Sequence, residues 1–323
     1  MFDASEEQPG TMLARTIKAT AICEGIGLHS GQPVRLTVRP APAGTGILFR
    51  RIDLLDSAGP EDQSSGLERI TIPASPLAVC QTTLGTVLTN RFGVTISTVE
   101  HLLAAFASLG ITQAIVEIDG PEVPILDGSA APFIDLVESV GVRELAATGQ
   151  VYRLREAVRV QIGDSIIEAE PLAEGEEATL MIDAVVEYDD PAIGRQELAL
   201  ENAYASFREE LSAARTFCYL RDVEMMRAKG LALGGSMDNA IVVSEGKVLN
   251  EGGLRMEREF VRHKVLDLVG DLYLMGLPLA ARITAIRPGH GINTAFARKV
   301  IESHAADLVS LDDLPLPAEQ ARA

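Results

Sequence analysis

Between Arg262 and Asp271 the chain reads Arg-His-Lys-Val-Leu-Asp-Leu-Val-Gly-Asp, so His263, Asp267 and Asp271 recur every four residues. In an α-helix, side chains at that spacing stack on one face. Val261, Val265, Leu268 and Leu272 then fall on another face, which can anchor the helix. The pattern predicts an amphipathic helix over 259–274. An imidazole and a carboxylate on neighbouring turns can supply two ligands to a borderline ion such as Zn2+. The same spacing also serves plain helix stability through i,i+4 pairing, and the segment by itself leaves both readings open.

A tetrahedral catalytic zinc takes three protein ligands and keeps its fourth position open. His101 is the natural third candidate, in the first turn of a helix predicted over 98–109. That helix starts at Ser97-Thr98-Val99-Glu100, which matches the S-x-x-E capping box, and offers an apolar face of Leu102, Leu103, Phe106 and Leu109. Glu100 points about 100° away from its neighbour His101. It either reaches a bound water as general base or serves only the backbone N–H of Ser97. His290 lies between Gly289 and Gly291, in a predicted loop after a strand. Protonated, it has the chemistry of a general acid toward an amine leaving group, with Asp271 a candidate partner that keeps it charged. Arg215-Thr216-Phe217 offers a hydroxyl beside an aromatic ring. The turn Gly234-Gly235-Ser236 lacks the Lys-Ser/Thr of a P-loop and the spacing of a dinucleotide fold, which argues against nucleotide hydrolysis and dinucleotide redox. His304 reads as an ordinary helix-surface residue.

Charge narrows the partners. Acids outnumber bases 46 to 28, a formal charge of -18. This disfavours a nucleic-acid surface and a polybasic grip on an anionic bilayer, although a few bases in one cleft can still hold a small anion. Arg215, Arg262, Lys264 and protonated His290 are candidates for such a cleft. The apolar stretch 102–111 is too short to cross a bilayer, and the opening residues lack a basic stretch before an apolar core. No integral membrane segment, a cytoplasmic location and a monomer are expected. The three cysteines, Cys23, Cys80 and Cys218, have no CxxC spacing and read as small core or cleft residues.

The 323 residues suggest two domains. Strand patterns are read at 32–38, 46–52, 80–89, 111–118, 165–170, 177–188, 240–244 and 280–286. Further helices are read at 131–140, 202–212 and 294–305. Residues 55–67 read as a loop, 143–152 as a linker, and the first ten residues and the C-terminal end as loosely attached. Strand-plus-helix groups in each half make an α+β chain.

Seven segments in order carry a resemblance: Gly25-Ile26-Gly27-Leu28-His29-Ser30-Gly31, Ser97-Thr98-Val99-Glu100-His101-Leu102-Leu103, Leu126-Asp127-Gly128-Ser129-Ala130, Ala214-Arg215-Thr216-Phe217, Gly234-Gly235-Ser236, Arg262-His263-Lys264 with Asp267 and Gly270-Asp271, and Gly289-His290 with Asn293. Together they resemble the UDP-3-O-acyl-N-acetylglucosamine deacetylase family, the zinc amidases of lipid A synthesis in Gram-negative bacteria, from about Thr11 to Ala305. The resemblance implies two similar α+β domains, each with a sheet and a helical layer, their helices face to face and the active site at the junction. The first domain is then 11–145 with an insertion at about 45–71. The second is 152–306 with an insertion at about 218–250 that forms an apolar passage for an acyl chain, and 307–323 is a tail.

The resemblance further implies His101, His263 and Asp267 as zinc ligands, with Fe2+ able to occupy the same set. Glu100 is implied as general base, His290 as general acid, Asp271 as the residue that orients and charges it, and Thr216 as the hydroxyl on the oxyanion side. Lys264 is implied at the substrate's phosphate side and Phe217 as a wall for a sugar or nucleotide moiety. His29 stays open between a structural turn and a ligand contact. Cys218 stands where some members have Gly. The expected reaction removes the N-acetyl group of a UDP-3-O-(3-hydroxyacyl)-N-acetylglucosamine, releasing acetate and a free amine, an early step of lipid A and lipopolysaccharide synthesis. The alternatives are a zinc amidohydrolase for another N-acyl sugar and a non-catalytic zinc-stabilised binding protein.

Overall fold

A computed structural model describes residues 13–55 and 63–313 of the protein. The first ten residues, most of the loop read at 55–67 and the end of the tail lie outside the described residues. Seven helices are described: α1 (Gln63–Ile70), α2 (Glu100–Leu109), α3 (Ala131–Val140), α4 (Phe207–Glu210), α5 (Leu220–Ala228), α6 (Glu259–Leu272) and α7 (His290–Glu302). They flank several mixed sheets.

A five-stranded sheet runs in the order Ala21–Ile26, Pro33–Pro40, Ala114–Ile118, Ile47–Arg51, Thr71–Pro73. Its central strand Ala114–Ile118 is antiparallel to Pro33–Pro40 and parallel to Ile47–Arg51. In the seven-stranded sheet, Leu279–Ile286 is the hub. It runs antiparallel to Ser165–Glu170 and parallel to both Gln150–Leu154 and Leu180–Glu187. Leu180–Glu187 buries alternate residues, as a strand with one covered face must, whereas the hub strand is buried without a break over Leu279–Ala281 and on alternate residues after that.

The helix α2 packs on α6, and α6 on α7. One apolar cluster runs through both halves of the chain, from Leu36 and Phe49 through Leu102 and Phe106 to Val265, Leu268 and Phe296. Gly270 permits the α2–α6 approach: a Cβ there would sit 2.1 Å from the carbonyl oxygen of Glu100. No helix among the described residues is long and apolar enough to cross a membrane.

Several local readings need correction. The stretch read as a linker at 143–152 forms two strands, Val142–Thr148 and Gln150–Leu154, and the first of these pairs with Leu13–Ile17. The helix read at 202–212 is only the single turn α4. Part of the loop read at 55–67 is α1. The start of the tail is a strand, Ala306–Ser310, paired antiparallel with Gln150–Leu154. His304 sits past the end of α7 with a left-handed φ of 52°, so it is not on a helix surface. Cys80 is exposed, while Cys23 and Cys218 are half-buried.

Candidate active site

The α2–α6 contact brings three possible metal ligands together inside the protein. His101, His263 and Asp267 are all buried, and their ligand atoms lie within 4.8 Å of one another. Asp267 Oδ1 is 3.5 Å from His101 Nε2 and 3.4 Å from His263 Nε2. Ligands about 2.1 Å from a tetrahedral ion stand about 3.4 Å apart, so the spacing suits one ion. Asp267 Oδ1 is buried without a hydrogen-bond partner, a state that costs about 1–3 kcal/mol unless something binds there. Its other oxygen, Oδ2, accepts from Lys264 Nζ at 2.8 Å. His263 Nδ1 faces the Ala214 carbonyl oxygen at 3.1 Å, so Nδ1 carries the proton and Nε2 is free to coordinate.

Protonation favours the same use. Burial drives the His263 imidazolium down to about 3, against the pull of Asp267 and helped by His101 and Lys264. Burial opposes ionisation of Asp267, yet His263, Lys264 and His290 outweigh it and hold the carboxyl well below its usual range. Neutral imidazole and ionised carboxylate are the ligand forms. The donor set fits a divalent metal.

Beside this cluster sits a second one. Glu100 Oε2 accepts from the backbone N–H of Thr86 at 3.1 Å, and its Oε1 is 3.7 Å from His290 Nε2. The predicted capping box is absent. Ser97 ends a strand, Thr98 has φ 59°, and α2 begins at Glu100 with no side-chain cap. Tertiary contacts have taken the carboxylate that local pattern assigned to the helix end. Burial raises the Glu100 pKa, with Asp271 and Asp267 adding and His290 and His101 opposing.

His290 is the first residue of α7 rather than part of a loop. Its Nδ1 lies 3.0 Å from Asp271 Oδ2. Burial works against the imidazolium, but Asp271, Glu100 and Asp267 prevail and raise its pKa to about 9. Asp271 is fully buried. It accepts from Thr86 Oγ1 at 2.5 Å on one oxygen and from Asn293 Nδ2 at 3.0 Å on the other. The polar side of α6 is thus as buried as its apolar side, unlike the exposed face of an ordinary amphipathic helix.

A cavity of about 410 Å3 adjoins the site, lined by Thr216, Phe217, Lys264 and His290 together with Leu220, Val223 and Met226 of α5. Phe217 packs edge-on against Phe260 and lies 5.4 Å from Lys264 Nζ. Thr216 is held by its backbone N–H on the Gly128 carbonyl oxygen at 2.9 Å. Gly128 must be glycine: its φ is +82°, and a Cβ would sit 1.8 Å from the Asn239 carbonyl oxygen. Cys218 and His29 also line the cavity. His29 has a structural share too, since its backbone N–H donates to Glu122 at 2.9 Å and its Nε2 lies 3.1 Å from the Leu84 carbonyl oxygen.

Two expected cations do not face the cavity. Arg215 is buried in a pair with Glu259, and Arg262 pairs with Glu210. Arg227 lines the cavity instead. Sequence reasoning also passed over Thr86, Glu122, Glu259 and any role for Asn293. Only Asn293 carried a local signal, lying one helical turn after His290. The other three meet their partners across long stretches of chain.

Comparison with known proteins agrees with this geometry. The family model for UDP-3-O-acyl N-acetylglycosamine deacetylase matches residues 14–302. A UDP-3-O-acyl-N-acetylglucosamine deacetylase of Shewanella violacea is 42% identical over 301 residues, covering 92% of this chain and 93% of the relative. One from Pseudoalteromonas atlantica is 44% identical over 302 residues, covering 93% and 94%. One from Pseudoalteromonas translucida is 45% identical over 294 residues, covering 90% and 91%. With two imidazoles and a carboxylate gathered on α2 and α6, and relatives matched along nearly their whole length, the chain belongs to the UDP-3-O-acyl N-acetylglycosamine deacetylase family.

Proposed function

We propose that the protein removes the N-acetyl group of a UDP-3-O-(3-hydroxyacyl)-N-acetylglucosamine by zinc-dependent hydrolysis, an early step of lipid A synthesis. The observation that carries this reading is Asp267 Oδ1, buried and unpartnered between two imidazole Nε2 atoms, on a carboxylate whose neighbours Lys264 and His290 line the cavity. His101, His263 and Asp267 hold the metal, zinc in this reading, with Fe2+ suited to the same donors. When bound, the ion supplies a Lewis acid for the amide carbonyl and lowers the pKa of water.

The chain's own groups do the rest. Glu100, ionised, takes a proton from the attacking water. Thr216 donates its hydroxyl toward the developing oxyanion. His290, as imidazolium, protonates the departing amine nitrogen, and Asp271 fixes its ring and favours its charge. Lys264 and Phe217 receive the phosphate and sugar side of the substrate. The acyl chain lies in the cavity beside α5.

The reading extends to architecture. The two halves of the chain act as two similar α+β domains that divide near Gly149, with insertions at about 45–71 and 218–250 and the site at their junction; the strand Ala306–Ser310 belongs to the second, so the tail follows it. The packing of α2 on α6 supports this, since His101 comes from one half and His263 with Asp267 from the other. The enzyme works as a cytoplasmic monomer. Metal content measured alongside acetate release from the acylated nucleotide sugar tests the reading. Substrate lacking the O-acyl chain, and a different N-acyl sugar, serve as the comparison arms.

A further inference from the structure

We propose that Thr86 is a positioning residue that ties the general base to the partner of the general acid, a role that rests on the deacetylase reading above. Thr86 is fully buried, immediately before the strand Val87–Thr89. Three of its groups are committed. The backbone N–H donates to Glu100 Oε2 at 3.1 Å, the hydroxyl donates to Asp271 Oδ1 at 2.5 Å, and the carbonyl oxygen accepts from Thr98 N–H at 3.0 Å, two residues before Glu100.

The direction of the hydroxyl bond follows from chemistry. An ionised carboxylate only accepts, so Thr86 is the donor, and a bond to an ionised group is among the stronger ones. Asp271 Oδ2 already takes His290 Nδ1 and Asn293 Nδ2, each at 3.0 Å. Thr86 therefore fills the remaining side of the carboxylate and sets the plane in which Asp271 meets the imidazole. The same residue holds Glu100 with its main chain, and Glu100 Oε1 is 3.7 Å from His290 Nε2. Base and acid are thus indexed to each other through one residue, by its main chain on one side and its hydroxyl on the other, although Thr86 and Asp271 are 185 residues apart in sequence. Loss of the hydroxyl leaves a buried carboxylate oxygen unpaired and frees Asp271 to turn, carrying His290 out of line.

Thr86→Val keeps shape and removes the hydroxyl, Thr86→Ala removes it without a new methyl contact, and Thr86→Ser keeps it. In the metal-loaded enzyme, Val and Ala variants should lower kcat by about 10- to 100-fold. KM should stay within about twofold and metal content should match wild type, while Ser returns most of kcat. In an Asp271→Ala background, Thr86→Val should cost little more, because the two act as one unit. The NMR resonance of the His290 Nδ1 proton should move upfield in the Val and Ala variants and stay in place in the Ser variant. Wild-type kcat in Thr86→Val and Thr86→Ala, a loss confined to KM or metal content, or failure of Ser to restore turnover overturns the proposal. A wild-type chain that releases no acetate overturns the deacetylase reading instead, and the His290 proton then still reports whether Thr86 sets the geometry.

Discussion

His290 and Asp271 meet across 3.0 Å, imidazole Nδ1 to carboxylate Oδ2, with the carboxylate fully buried. The pair joins the start of α7 to the last turn of α6. It turns the other nitrogen of the ring, Nε2, toward Glu100 and Asp267, 3.7 and 3.8 Å away. One imidazole is therefore surrounded by three carboxylates.

In metal-free protein, His290 should titrate near 9, well above an ordinary histidine. The raised value stabilises the fold. That contribution is complete below the unfolded value of about 6.5 and is lost as pH rises through about 9; the shift corresponds to about 3 kcal/mol. NMR titration of the His290 ring checks the value, and a titration near 6.5 contradicts it. Turnover should be bell-shaped in pH. The acid limb follows ionisation of Glu100, whose pKa burial raises, and the alkaline limb follows loss of the His290 proton. A bound dication moves both limbs downward, so the alkaline midpoint of the loaded enzyme should fall below 9.

Gly270→Ala should destabilise the whole protein rather than a surface element. Its Cβ would meet the backbone carbonyl of Glu100, next to His101 in the first turn of α2, so neither helix can yield cheaply. Overpacking of this kind costs about 1–3 kcal/mol. A lowered Tm with reduced metal affinity is expected, and a wild-type melt speaks against close α2–α6 packing.

Arg215 and Glu259 should behave as one unit. Both are buried, and Glu259 accepts from the Arg215 backbone N–H at 3.0 Å, its Nε at 2.9 Å and the Arg255 backbone N–H at 2.6 Å. Glu259→Gln or Arg215→Met alone leaves a buried charge unpaired and should cost about 3–5 kcal/mol in chemical denaturation. The double variant should cost less than the sum of the two. Strict additivity would contradict the coupling.

How far the sequence alone reached depended on the range of the interactions involved. Ala131–Val140 and Ser165–Glu170 were legible to the residue. Pro132 in the first turn of α3, Gly141 with φ 79° after its end, and Gly163 with φ 58° in the turn before the strand are local devices. The His263–Asp267 spacing was legible for the same reason. The capping box failed because Glu100 accepts instead from Thr86, 14 residues away and brought close only by the antiparallel pairing of Val87–Thr89 with Thr95–Ser97. The strand at 306–310 was missed because its partner at 150–154 lies far back in the chain. The expected basic cleft shrank to Lys264, His290 and Arg227, because Arg215 and Arg262 are matched by acids whose proximity no local pattern reveals.

His101, His263 and Asp267 should together hold one catalytic metal ion. Elemental analysis of wild type and of His263→Ala and Asp267→Ala, paired with acetate release, tests it most directly. Wild type should carry one divalent ion per chain and lose turnover on chelation, with zinc restoring it. Both variants should stay folded, bind substoichiometric metal and release acetate at least about 100-fold more slowly. Full metal content or near-wild-type turnover in the folded variants would mean that these residues do not hold a catalytic ion.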